Sequence, residues 1–333
     1  MGKPTLTDYV NMLCNLIDRF MAHHLEFANK EIYYTYKHKV LIVFFMLMQF
    51  RGIYQFKAQR RWLENHPKEL EIIGFGTIPH RSTLSRRYKQ AYPLINELIA
   101  FIGKDLQQLD EAFAHELLFE DKSLFKAKGP VWHQSDRQEN HIPAKLRNLD
   151  KDAAWGKSGY QGWVYGYGLH MTNNQCAFPK LVVVESANIS EKEVVKDKEQ
   201  HILSRLKPIF FTTDNGYFSA MRIRNWAKKG VALITPAVKW VKGKYAKAYH
   251  LFIEKPYIKE LFRRRKTTVE PLFDLIAKII GTNGRQKQLP IKDKTNVSTC
   301  LALATLTLQI SMIVNHIWGM PLRNIGHMKA IFT

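Results

Sequence analysis

The feature that most limits the fold of this chain is a change of pattern near Asp110. Before it, apolar residues recur at helical spacing. Leu41, Phe44, Phe45, Met48 and Gly52 follow one face, and Leu94, Ile95, Leu98, Ile99 and Ile102 form a second stripe. Residues 1–110 are therefore predicted to be helical, with a break at Gly74–Pro79 and Ser82 as the N-cap of the next helix. From Glu116 the runs shorten and become strand-like, at 117–119, 163–171, 180–185, 209–213 and 231–235. Helical segments separate the last three, at about 191–206 and 218–229, and a third is expected to begin near Glu270. Antiparallel strands first, then strand–helix–strand units, predict an α/β fold whose mixed sheet carries helices on its faces. The polar stretch 139–157 reads as a long loop.

A chain of 333 residues with 46% hydrophobic content can bury one large core and a smaller domain. The pattern divides it into a helical part at 1–110, an α/β part at 111–320 and a tail at 321–333. The charge balance is unusual: 50 Lys and Arg against 29 Asp and Glu give +21. Such a surplus points to an extended polyanion, because each phosphate neutralised releases counterions; the plainer alternative is a solvated basic surface. Cys14, Cys176 and Cys300 are far apart and form no Cys-x-x-Cys, which argues against a disulfide framework or a zinc site and fits a reducing cytosol. No signal peptide is evident at the N-terminus. The apolar run 40–50 is too short to span a bilayer. The run 301–318 is long enough but carries Thr305, Thr307, Gln309, Ser311, Asn315 and His316, so a buried core helix is expected and no membrane.

Three acids fall where this order of elements could gather them. Asp121 follows Leu117-Leu118-Phe119, and Asp214 follows Ile209-Phe210-Phe211-Thr212-Thr213, so each is expected at the end of a central strand. Glu270 is expected at a helix start beside the sheet edge. Hard cations such as Mg²⁺ take carboxylate and water oxygens, and two such ions can serve phosphoryl transfer. Each acid also has a plainer reading. Asp121-Lys122-Ser123 suits a turn, Asp214-Asn215-Gly216 is a strong turn sequence, and Thr267 with Glu270 has the spacing of a capping box ahead of Pro271.

The residues around these acids carry a resemblance. Phe262, Arg265, Lys266, Val269, Glu270, Pro271 and Phe273 resemble the Tyr-x-x-Arg-Lys-x-x-Val-Glu-Pro-x-Phe stretch of bacterial insertion-sequence transposases of the DDE superfamily. Asp214-Asn215-Gly216-Tyr217 is similar to that family's Asp-x-Gly-Tyr motif, and Glu120-Asp121-Lys122-Ser123 to its first acid position. Trp155 to Ser158 and Gly166 to His170 are similar to its linker and second strand, and Pro79 to Arg87 to its N-terminal module. The resemblance covers the chain from about Phe75 to Trp318. It implies a ribonuclease-H-like catalytic core and an acid triad of Asp121, Asp214 and Glu270 holding two Mg²⁺ or Mn²⁺ ions. The implied reaction is cleavage and strand transfer at the ends of an insertion sequence. Implied partners are double-stranded DNA, both terminal inverted repeats and target, with a homodimer on DNA in the nucleoid. Two positions depart from the pattern. Phe262 stands where Tyr is usual, and Ala277 stands where Lys is usual, leaving Lys278 about 100° around the helix.

Two basic segments are candidate DNA-binding surfaces. Residues 51–90 hold nine Lys and Arg against three Glu, and short helices around a Gly-containing break resemble a helix-turn-helix. Arg81, Ser82, Arg86 and Arg87 would face DNA, unless this is only the solvated side of a helical bundle. Residues 239–266 hold ten Lys and Arg against two Glu, interleaved with Trp240, Tyr245, Tyr249, Phe252, Tyr257 and Phe262. This insertion-like segment, with Lys242, Lys244, Lys247, Arg265 and Lys266, suits distorted or single-stranded ends, and Lys278 extends it. Trp240 could stack on a base or simply pack. Two alternatives to an active transposase stand: a related ribonuclease-H-like nuclease, and a non-catalytic DNA-binding descendant.

Overall fold

The computed structural model describes residues 3–108, 110–236, 244–282 and 287–333. The first third is helical as expected. α1 (Leu6–His23) starts on a capping box in which Thr5 accepts from the Asp8 amide and Asp8 accepts from the Thr5 amide. α2 (Leu25–Glu31), α3 (His38–Phe50), α4 (Phe56–Asn65) and α5 (Pro67–Ile73) follow. α5 ends at Gly74, whose φ of 92° is the left-handed cap that favours glycine. α6 (Arg81–Gln90) begins two residues earlier than its sequence suggests: the cap is His80, not Ser82, the His80 ring accepts from the Ser82 amide, and Ser82 lies within the first turn. α7 (Tyr92–Asp105) takes Pro93 in its own first turn, where a missing N–H is harmless.

Among the described residues the sheet has six strands. β1 (Leu117–Lys126) is followed by α8 (Gln134–Gln138), β2 (Ala154–Ser158), β3 (Gly162–Asn174) and β4 (Pro179–Ser186). β3 is the longest and organises the rest. One edge pairs antiparallel with β1; the other pairs with β2 over its first half and with β4 over its second. After β4 come α9 (Glu191–Gln200), which continues as a wider π-helical turn to residue 206, β5 (Phe210–Thr212), α10 (Ala220–Ala227) and β6 (Ala232–Ile234). β5 joins the free side of β1 in parallel and β6 joins β5 in parallel. The chain closes with α11 (Lys244–Ile253), α12 (Pro256–Ile279), α13 (Lys294–Ile317) and α14 (Gly326–Phe332).

Strand alternation sends successive side chains of β1 to opposite faces. Phe119 and Phe125 join a large apolar cluster with α1, α3, α7, α12 and α13. Leu118 joins Val195, Ile202, Phe211 and Trp226 beneath α9 and α10. The large cluster runs unbroken across residue 110, because α7 lies directly on β4. Gly103 permits that approach: a Cβ there would stand 2.8 Å from the Lys180 carbonyl oxygen. α13 is long and apolar enough to cross a membrane, yet its apolar window is wholly buried. Its polar side chains act as brackets. Gln309 donates to the carbonyls of Ile99 and Pro179 at 3.1 and 2.9 Å, and Asn315 donates to those of Pro321, Leu322 and Asn324.

Candidate active site

Asp121 does not end its strand. It sits mid-way along β1, opposite Met171, because the long β3 carries β1 on to Lys126. β5 pairs only with residues 117–119, so beyond Phe119 that side of β1 is left by its parallel neighbour. Asp214 lies just past β5 and caps a short 3₁₀ turn, its carboxylate accepting from the Gly216 amide at 2.9 Å. The turn reading of this Asp-Asn-Gly and its place beside Asp121 are thus the same geometry. Glu270 does not start a helix. It lies in the second half of the 24-residue α12, with Pro271 inside it. Pro271 supplies no N–H to the carbonyl four residues back. Burial of Ile258, Val269, Leu272, Phe273 and Ile276 on both sides of it holds the helix together.

These three elements meet. Asp121, Asp214 and Glu270 all line one cavity of about 550 Å³, together with Lys122, Glu191, Arg265 and Lys287. Arg265 reaches down from α12 and pairs with Asp121 at 2.5 Å. Burial pushes the Asp121 carboxyl up to about 6, with Arg265 opposing and Asp214 adding to the rise. Burial also raises Asp214, opposed by Arg265 and reinforced by Glu191. Two desolvated carboxylates, with Asp214 raising Asp121 and one guanidinium acting on both, make a pocket suited to a hard cation. Among the described residues no three His, Cys, Asp or Glu side chains are close enough to hold one ion together. Glu270 itself is exposed at the cavity rim.

Glu191, the first residue of α9, is a cavity acid that sequence reading passed over as an ordinary helix residue. The Lys122 ammonium lies 3.4 Å from its carboxylate and donates to the carbonyls of Ala187 and Ile189. Behind the cavity is a buried network that was equally missed. Glu120, next to Asp121 but on the other face, is fully buried and receives the Lys198 ammonium at 2.7 and 3.0 Å. Thr172, its cross-strand partner, donates to the same carboxylate, and Tyr217 donates to it at 3.5 Å. Burial pulls Lys198 down while Glu120 pushes it up. Burial likewise holds His170 well below its ordinary value, so it stays neutral. A charged residue at an apolar-face position of a strand was the available signal.

The expected DNA-facing residues divide. On α6, Arg81, Ser82, Arg86 and Lys89 are exposed. Arg87 is not: its guanidinium stacks 3.6 Å over the Tyr34 ring and hydrogen-bonds His38, so the structure removes it from the exposed basic face. Arg265 points inward to Asp121 and is likewise removed. Lys247 on α11 and Lys266 and Lys278 on α12 are exposed, whereas Ala277 is buried, so a lysine there would enter the core. Lys244 begins α11. Trp240 and Lys242 lie outside the described residues.

Residues 138–286 match the family model described as a transposase DDE domain. This bears out the resemblance to DDE-superfamily transposases. The matched stretch takes in Asp214 and Glu270 and begins after Asp121. No curated protein matches the chain.

Proposed function

Taking the transposase DDE-domain match as premise, we propose that this chain cuts DNA at the ends of an insertion sequence and joins the released strand to target DNA. The sheet is read as a ribonuclease-H-like core, from its four antiparallel-paired strands, β1 to β4, followed by two parallel ones, β5 and β6, beside β1. The observation that carries the reading is the meeting of Asp121, Asp214 and Glu270 in one cavity from three separate elements. These carboxylates would hold divalent ions, Mg²⁺ or Mn²⁺. Such ions activate an attacking oxygen and stabilise a leaving one.

The chain's own residues do the rest. Asp121 and Asp214 present half-buried carboxylates on a strand and a capped turn, so little reorganisation is needed when a phosphodiester arrives. Lys287, held 3.0 Å from Asp274 and 3.3 Å from Ser123, places a cation on the cavity wall against phosphate charge. Arg265 offsets the charge of both aspartates. The Glu120–Lys198 pair fixes β1 from behind. The exposed residues Arg81, Ser82, Arg86 and Lys89 on α6 form the proposed recognition face, in a helical arrangement like a helix-turn-helix.

The test is strand cleavage in Mg²⁺ by Asp121→Asn, Asp214→Asn and Glu270→Gln on an end-labelled DNA substrate. Cleavage should be lost in all three while DNA binding persists. Near wild-type cleavage by Asp121→Asn sinks the assignment, and cleavage of DNA without joining favours a plain nuclease on the same core.

A further inference from the structure

The described residues include four exposed aromatic side chains, and two of them, Tyr160 at 72% and Trp163 at 58%, belong to one hairpin. That hairpin joins β2 to β3 and is braced at every step. The Ser158 hydroxyl accepts from the amides of Tyr160 and Gln161, which closes the turn, and Gly162 takes a φ of 75°. Gln161 then clamps the tip onto β1: its side-chain amide donates to the Leu124 carbonyl at 3.0 Å and its oxygen accepts from the Leu124 amide at 3.3 Å. Leu124 is three residues along β1 from Asp121. Lys157 and Tyr160 line the acid cavity. Lys157 is the cross-strand partner of Trp163, and its ammonium stands 5.8 Å from the centre of the indole.

We propose that this hairpin is a base-stacking site for an unpaired nucleotide of the DNA strand whose phosphate enters the acid cavity. The proposal rests on the reading of that cavity as a strand-cutting site. A phosphodiester seated among the acids leaves its bases projecting to one side, and the hairpin forms a wall of that cavity through Lys157 and Tyr160 and carries the exposed Trp163 ring next to Lys157. Inside a duplex both faces of a base are covered by its neighbours, so away from a terminal pair an exposed ring can stack only on a base that has left the helix. The site is sequence-tolerant, since every base offers a π face. Lys157 adds a cation beside the indole, as strand-tracking grooves do. The brace to Leu124 presents the rings with little ordering left to pay on binding.

The experiment measures binding in EDTA, so that no cutting is required. A blunt duplex and the same duplex with a short unpaired end carrying 2-aminopurine are titrated with wild type, Trp163→Ala, Trp163→Phe, Tyr160→Ala and Asp121→Asn. Wild type and Asp121→Asn should prefer the unpaired end and quench 2-aminopurine. Trp163→Ala should lose on the order of 10-fold or more of that preference, with blunt-duplex affinity unchanged and Trp163→Phe restoring most of it. Thermal melts of the exposed-ring variants should match wild type. Equal losses on both duplexes, or no loss from either Trp163→Ala or Tyr160→Ala, overturn the proposal. Quenching that persists when none of the Asp121, Asp214 and Glu270 variants has lost cleavage keeps the base site and removes only the assigned acids.

Discussion

Glu120 and Asp121 are adjacent carboxylates on one strand, and their surroundings are opposite. The pleat turns Glu120 toward α9, where Lys198, Thr172 and Tyr217 satisfy it, and turns Asp121 toward α12, where it shares a cavity with Asp214 and meets a single guanidinium. The first is a closed polar network and the second an open, under-satisfied one, with Asp121 pushed up to about 6. Carboxylates do not become functional by being acidic. A carboxylate desolvated without enough partners is a candidate for function, and on the proposed reading the satisfied neighbour holds the unsatisfied one in place.

The largest effect should come from breaking the closed side. Lys198→Met leaves Glu120 buried without its counter-charge, which destabilises by about 3–5 kcal/mol. Adding Glu120→Gln should return most of that loss, because both charges are then gone. Urea denaturation of the two variants checks this. If Glu120→Gln alone abolished metal-dependent cleavage in a protein of wild-type stability, Glu120 would belong with Asp121 and the contrast between the two faces would collapse.

A second buried lysine sharpens the same contrast. Lys180 is as buried as Lys198 but donates to the carbonyls of Gly103 and Phe113 rather than to a carboxylate, with the Phe178 ring 5.4 Å away, and burial lowers it to about 7 against an ordinary 10.5, Glu116 opposing. Between those values the unfolded chain binds more protons than the folded one, so stability should rise with pH there. Each unit of that rise is about 1.4 kcal/mol. From about pH 7 to 8.5, below the range where the buried Cys300 and tyrosines complicate the slope, wild type should gain about 1–2 kcal/mol relative to Lys180→Met. Parallel pH profiles would show that Lys180 keeps its proton, and that carbonyls serve it as well as Glu120 serves Lys198.

Much of the architecture was legible from period alone: the helical first third, the later strand runs and the helices between them lie close to where the pattern put them, whereas β1 runs seven residues past its expected end and β2 falls in the stretch 139–157 that reads as loop. What escaped was set by partners distant in sequence. Asp121 is mid-strand because β3 is thirteen residues long, which nothing near Asp121 announces. Pro271 looked like a helix start and lies inside α12, because burial on both sides outweighs one missing hydrogen bond. Arg265 sits in a run of basic residues that reads as solvated surface, yet its helical phase turns it to the cavity. The tight turn at 158–162 comes directly after a stretch read as loop, and its brace to Leu124 is a side-chain contact across the sheet.

The smallest effect tests whether adjacency misleads on helices as it does on strands. Arg86 and Arg87 are consecutive, and both looked DNA-facing. Arg87 stacks on Tyr34 and donates to His38, which burial and then Arg87 itself lower to about 4, so the ring stays neutral and its Nδ1 can accept. Arg87→Ala removes that stack and one part-buried hydrogen bond, a loss of about 1–2 kcal/mol in stability. It should leave the salt dependence of DNA binding unchanged. Arg81→Ala with Arg86→Ala touches no core packing and should leave the melting temperature alone. It should lower the slope of log affinity against log salt by about one for each phosphate that is no longer neutralised. Thermal melts and salt titrations on one DNA fragment read both quantities. A reduced slope in Arg87→Ala at unchanged stability would mean that its guanidinium leaves Tyr34 for phosphate when DNA binds, and the inward and outward arginines of α6 would no longer be distinct.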